Sequence, residues 1–297
     1  MPLTLSFNKH HFVLKGVSPN LLPPYTLHFV TEGEHESPTF TFDFHFVEHL
    51  PLAPASTTVH QWEQVFTRPD ITVWRKGTLE RRMLSSMECP YAIYEEDSDR
   101  HADIWFPLAL SSNLSIDGVL ISTLSLERHL APLGTYIFHC AYMNHDGKAV
   151  LLSGPSGAGK STHAHLWEQF VANTYIVNGD RCLINRQADG RFYASGWPIC
   201  GSSDICRNEC HPLHAIAFIE QTPDNQLIQE SPAQLFTRLY SQLTVNHWNM
   251  EATAAAADWV LSLLNTLPVM VYGCNMAPDA PFNLYDELFK KQKCPRL

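Results

Sequence analysis

Residues 148–167, KAVLLSGPSGAGKSTHAHLW, limit this chain more than any other stretch. Within them Gly154, Pro155, Ser156, Gly157, Ala158, Gly159, Lys160 and Ser161 form a complete G-x-x-x-x-G-K-S, with Thr162 next. The apolar run before the loop predicts a strand, and STHAHLWEQF after it predicts a helix opening at Ser161. Glycines let such a loop turn its backbone N–H groups inward, and the helix N-terminus adds its positive end. The predicted ligand is the phosphate chain of ATP, held by residues 154–162. Lys160 reaches the outer phosphates and the Ser161 hydroxyl ligates Mg²⁺.

The strand feeding the loop is predicted to pair with the one before it, because TYIFHCAYM and KAVLLS flank a tight Asp146-Gly147 turn. YIVNGD and HAIAFIE read as strands. SPAQLFTRLYSQL is predicted as a helix with Ser231 as N-cap and Pro232 at its first position. An Ala-rich helix near 250–266 and the strand PVMVY follow. Asp180, 20 residues after Lys160, closes YIVNGD. One helix and one strand fit in that gap, which returns Asp180 to the loop as metal anchor or as base. An ordinary turn aspartate is the plainer alternative. His163 and His165 are expected at the helix surface, since two residues apart on a helix they face different ways.

The ordered set FHCAY, GKAVLLSGPSGAGKST, YIVNGDR, SGWPICG and RNECHPLHAIAFIEQ resembles the catalytic domain of HPr kinase/phosphorylase. It resembles more closely that enzyme's relatives in peptide-modification clusters and bacterial operons. The likeness runs over about residues 119–275. It implies a mixed α/β sheet akin to that of phosphoenolpyruvate carboxykinase, and phosphoryl transfer to a serine hydroxyl. It also implies a catalytic role for His139, which stands 15 residues before Gly154. Family members carry an acidic pair where this chain has Gly179 and Asp180, so metal anchoring and hydroxyl activation fall on Asp180, with His139 sharing the second. Arg181 and Arg207 are candidates for neutralising the transferred phosphoryl group. No signature of the reverse, phosphorolytic reaction is legible.

Residues 1–118 are predicted as a separate β-rich domain and residues 119–297 as the P-loop kinase core. TFTFDFHF, residues 39–46, places Phe40, Phe42, Phe44 and Phe46 on one strand face, a core face or else a docking face. YTLHFV, ITVWRK, YAIYEE and ADIWF are further strand candidates, and residues 119–131 read as a helix stopped by Pro132 and Gly134. The 297-residue chain has a formal net charge of −10 and no basic run, which argues against a nucleic-acid partner. No apolar run is long enough to span a bilayer and no leader is recognisable, so a cytoplasmic protein without a membrane partner is expected. The eight cysteines are expected as free thiols. Cys200, Cys206, Cys210 and His211 match no common zinc spacing.

The leading expectation is therefore an ATP- and Mg²⁺-dependent kinase whose acceptor is a peptide or small protein serine. A small hydroxylated metabolite as acceptor is the second reading. A nucleotide-binding regulatory module without transfer is the third, and the N-terminal domain serves acceptor recognition or homo-oligomer contacts.

Overall fold

The computed structural model describes residues 1–51 and 62–290 and divides into two units, Met1–His129 and Leu130–Leu297. Among the described residues the first unit is built on one sheet of nine strands: β1 Leu3–Phe7, β2 His10–Lys15, β3 Val30–Glu32, β4 Phe40–Val47, β5 Glu63–Arg68, β6 Ile71–Lys76, β7 Leu79–Ser86, β8 Cys89–Ser98 and β9 His101–Pro107. Their spatial order is β3-β1-β2-β4-β9-β8-β7-β6-β5. All neighbours run antiparallel except β2–β4 and β4–β9, which are parallel. Strict alternation along β4 buries Phe40, Phe42 and Phe44 and turns Thr41, Asp43 and His45 to the other face. The phenylalanine row is thus a core face. YTLHFV departs from its predicted strand: Thr26–Phe29 is a 3-10 turn and only Val30 enters β3.

The predicted helix over 119–131 is two pieces, α1 Asp117–Leu124 and α2 Leu126–Leu130, broken where Ser125 adopts a left-handed φ of 50°. The division between units falls eleven residues beyond the expected boundary at 118/119, and buried charge explains why. Arg82 Nη1 donates to Glu127 Oε1 (2.6 Å), and Arg128 Nε donates to Glu96 Oε1 (2.9 Å). The His129 ring stacks on Phe40 at 3.6 Å. Removing either partner of such a buried pair would strand a charge, so α2 stays with the first sheet.

The second unit is built on β10 Thr135–His145, β11 Lys148–Ser153, β12 Thr174–Asn178, β13 Arg181–Arg186, β14 Phe192–Ser195, β15 Cys210–Gln221, β16 Gln226–Ile228 and β17 Val269–Cys274. β10 and β11 form the expected hairpin around Asp146 and Gly147. β15 returns parallel to β11, and β17 parallel to β15, so the sheet is mixed. Both faces are covered, which is why β10 and β11 are apolar almost without interruption. One face packs Phe138, Tyr142, Leu151 and Phe218 against α4 Pro232–Ser241 and α5 Met250–Leu264. The other packs Met143, Val150, Leu152 and Ala217 against α3 Lys160–Phe170 and α6 Ala280–Tyr285. Ser231 caps α4 reciprocally with Gln234, and Pro232 takes the first position as predicted. No helix of the described residues is long and apolar enough to cross a membrane.

Candidate functional site

The loop after β11 has the backbone its glycines foretell. Gly154 and Gly159 sit at φ 138° and 97°. A Cβ on Gly154 would approach Ile219 O at 3.1 Å, and one on Gly159 would meet Met276 Cε at 2.6 Å. Gln221, at the end of β15, donates from Nε2 to Gly157 O (2.9 Å) and ties the loop to the sheet. α3 begins at Lys160, one residue before the predicted start, with Gly159 as its N-cap. Lys160 is buried and folds back on the loop, Nζ donating to Gly154 O (2.9 Å) and Pro155 O (3.0 Å). Burial holds its ammonium below the ordinary lysine pKa, against the opposing pull of Cys140 and Asp180. Ser161 and Thr162 are exposed in the first turn of α3.

Register carries the other candidates to the same place, where the middle of β10 meets the end of β11 and the start of β13. Cys140 on β10 pairs with Ser153 on β11, and the Ser153 hydroxyl donates to His139 O (2.8 Å). On its other edge β10 pairs with β13, His139 against Arg181. Asp180, just before β13, accepts at its carbonyl from Cys140 N (3.0 Å). His139 Nε2 thus stands 3.8 Å from Asp180 Oδ1, and Arg181 Nε donates to Asp180 Oδ2 at 3.2 Å. Arg181 is held from the far side by Thr244 Oγ1 (3.2 Å).

The turn from β12 into β13 is made by Asn178, a residue the sequence reading passed over. Its buried Oδ1 accepts from Asp180 N (2.9 Å) and Arg181 N (3.0 Å). Its Nδ2 donates to Trp197 O and Ile199 O, both at 2.9 Å. All four valences of the amide are met, which fixes where Asp180 points. The only hint in the sequence is Asn preceding Gly-Asp, an ordinary turn signal.

His139 is oriented by a second residue missed earlier. Its Nδ1 lies 3.0 Å from Gln242 Oε1, while Gln242 Nε2 donates to Ser241 Oγ (3.1 Å). The amide oxygen therefore accepts, Nδ1 carries the proton, and Nε2 keeps its lone pair on the side of Asp180. Burial, and after it the Lys160 charge, lower the His139 pKa below the usual imidazole value. The ring is neutral at neutral pH and can take a proton at Nε2.

Gly179 stands where the resemblance leads one to look for a first acid. A Cβ there would fall 2.2 Å from Ser203 Cβ and 2.4 Å from Ser203 Oγ. Ser203 lies in the 3-10 turn Gly201–Ser203, and its hydroxyl donates to Cys200 O (2.7 Å). The space for a side chain at 179 is filled by Ser203. A Cβ on Gly201 would in turn reach Asp180 Cγ at 3.0 Å, so this turn packs directly on the carboxylate.

Arg207 is not brought to this group. Its Nε donates to Ile176 O (3.1 Å), and its guanidinium lies 5.2 Å from the Tyr175 ring centre, back along β12. His163 corrects the expectation of a surface histidine. It is fully buried behind the loop, among the described residues neither ring nitrogen has a hydrogen-bond partner, and burial lowers its pKa to about 4. His165 is exposed as expected. Cys206 Sγ donates to Trp197 O and Cys200 Sγ to Gly201 O, whereas His211 sits with Asn144 and Glu209. The cysteines of the described residues are free thiols.

Loop, lysine, hydroxyl and carboxylate make a donor set of the right chemistry for a phosphate chain with Mg²⁺, which prefers hard oxygen ligands. Ser161 and Asp180 could hold the metal, and residues 154–162 the phosphates.

Among solved structures the chain is similar to the HPr(Ser) kinase/phosphatase from Coxiella burnetii, at 12% identity over 53% of this chain and 90% of that one, with a TM-score of 0.32. No curated protein matches the chain. The family model described as "SynChlorMet cassette protein ScmC" matches residues 112–269. That span is more than half of the 297 residues, and the chain belongs to this family.

Proposed function

We propose that the second unit is an ATP- and Mg²⁺-dependent phosphotransferase acting on a hydroxyl, namely a serine of a peptide or small protein. The observation that carries this reading is the convergence of Lys160, Asp180 and a neutral His139, where the middle of β10 meets the ends of β11 and β12. Asp180 lies close enough for its charge to act on both Lys160 and His139.

In this reading the Lys160 ammonium leaves the carbonyls of Gly154 and Pro155 for the phosphate oxygens. Those two hydrogen bonds serve as a resting place that keeps a buried ammonium paired. Ser161 and Asp180 would hold Mg²⁺, whose chemistry is to neutralise phosphate charge. His139 Nε2 receives the acceptor's hydroxyl proton as the oxygen attacks the γ-phosphorus and the bond from that phosphorus to the bridging oxygen breaks, releasing ADP. Gln242 holds the ring in the tautomer this requires. Arg181 is the cation beside Asp180 that can answer charge on the transferred group. Arg207, turned toward Tyr175, is given no part in transfer. The β-rich first unit is assigned to acceptor recognition.

Lys160→Ala tests the reading. Transfer falls by on the order of 10²–10³-fold with the fold intact, as for loss of other preorganised charge donors. Near-normal turnover by the folded variant contradicts it. One observation favours the alternative of a nucleotide-binding module without transfer: Ser203 occupies the space a first acid would need. Bound ATP with no phosphorylated acceptor under any condition would select that alternative.

A further inference from the structure

The parallel pairing of β4 and β9 in the first unit sets Asp43 beside Asp103, and on the same face His101 precedes Asp103 by two residues while His45 follows Asp43 by two. Alternation makes this the face away from the buried phenylalanines, so two aspartates and two histidines share one patch of the sheet. Carboxylates directly across a strand pair repel one another unless a cation lies with them.

The side chains converge. His101 Nε2 is 3.1 Å from Asp43 Oδ2, and His45 Nε2 is 2.5 Å from Asp103 Oδ1. Ligand atoms of Asp43, His101 and Asp103 all lie within 4.8 Å of one another. A third carboxylate, Asp97 Oδ1, stands 2.9 Å from His101 Nδ1. The Trp105 ring stacks on His45 with centroids 5.6 Å apart and limits its swing. His101 stands between two carboxylates, Asp43 at Nε2 and Asp97 at Nδ1, so a metal ion taken at Nε2 would leave Asp97 behind the ring. A carboxylate behind the imidazole of a ligating histidine is the arrangement that orients such ligands around metals.

We propose that Asp43, His45, His101 and Asp103 form a binding site for a first-row divalent metal ion of the Zn²⁺ class, with Asp97 orienting His101. The donors are two imidazoles and two carboxylates, a set that suits Zn²⁺ and leaves the first shell neutral. Tetrahedral ligands at Zn²⁺ distances lie roughly 3.3 Å apart. The 3.1 Å and 2.5 Å pairs are both tighter than that spacing, so each would open slightly to admit the ion, with His45 turning toward the other three ligands. The site belongs to the first unit alone and does not depend on the phosphotransferase reading.

The test uses the full chain, reduced, stripped with chelator and titrated with Zn²⁺ and with Co²⁺ as spectroscopic probe. Cysteines and the phosphate loop can also take metal, so the reading is a difference from variants. Wild type is expected to retain one more equivalent of Zn²⁺ than His45→Gln/His101→Gln. Asp43→Asn and Asp103→Asn are each expected to weaken that equivalent by about 100-fold, and Asp97→Asn by about tenfold. Co²⁺ at this site shows d–d bands without thiolate charge transfer, and the bands vanish in the double variant. Equal Zn²⁺ content in wild type and the folded double variant overturns the proposal and leaves an ion-paired patch only. If the double variant fails to fold, unchanged Zn²⁺ affinity in Asp97→Asn and Asp43→Asn overturns it equally.

Discussion

Gly179→Asp restores the acidic pair on paper, yet the structure predicts that it damages the protein instead. The new Cβ would lie 2.2 Å from Ser203 Cβ, well inside contact distance, so one of the two must move. Overpacking of this kind costs about 1–3 kcal/mol. Displacing the Ser203 hydroxyl from Cys200 O adds about 1 kcal/mol. A total of roughly 2–4 kcal/mol lowers the melting temperature by about 5–15 °C, at the few degrees per kcal/mol of a domain this size. The turn Gly201–Ser203 packs on Asp180, so activity falls as well. Ser203→Gly in the same chain makes room and should recover most of the packing cost. Urea and thermal unfolding of the two single variants and the double variant measure the coupling, expected at about 1 kcal/mol or more. If Gly179→Asp melts like wild type, or if the two substitutions are additive, Ser203 does not fill that space and the argument fails.

Two other perturbations separate roles within the second unit. His139→Gln keeps a hydrogen bond to Gln242 but cannot accept a proton, so transfer should drop by about 10²–10⁴-fold with nucleotide affinity unchanged. In wild type the rate should fall on acidification with a midpoint below the ordinary histidine value, because the neutral ring is the base and its pKa is lowered; that limb should be absent in the residual activity of the variant. His163 predicts a stability effect with a definite sign. Its pKa is about 4 folded against 6.5 unfolded. The unfolded chain therefore binds the proton more readily, and stability is full above pH 6.5 and lost as pH falls toward 4. At pH 5 the loss from this residue is about 2 kcal/mol. Denaturation of wild type and His163→Leu at pH 5 and 7.5 should show that much less pH dependence in the variant, and equal slopes would refute it.

Much of the second unit was legible because its signals are local. The Asp146-Gly147 turn between apolar runs, the glycine loop, the Ser231-Pro232 helix start and Asp180 at the end of YIVNGD each rest on neighbours within a few residues. What escaped depends on register between distant segments. Gln242 reaches His139 through the Phe138–Leu243 bridge, 105 positions apart in sequence, and no pattern near either residue announces it. Ser203 meets Gly179 because Asn178 binds the carbonyls of Trp197 and Ile199. His163 looked exposed because helical spacing orders faces relative to one another but does not say which face α6 covers. The Asp43–His101 patch appears only once β4 and β9 are known to be parallel neighbours. The helix over 119–131 was seen, but the ion pairs of Glu127 and Arg128 that assign it to the first unit were not.

The most direct measurement is transfer itself. The full chain is incubated with Mg²⁺ and γ-labelled ATP, together with candidate peptides or a host lysate, and the label is located by mass spectrometry, in parallel with Asp180→Asn. The account predicts label on a serine hydroxyl of the acceptor with wild type. With Asp180→Asn it predicts a loss of about 10²-fold or more, while ATP still binds. Label that stays on bound ATP with wild type, or transfer undiminished in Asp180→Asn, would contradict it.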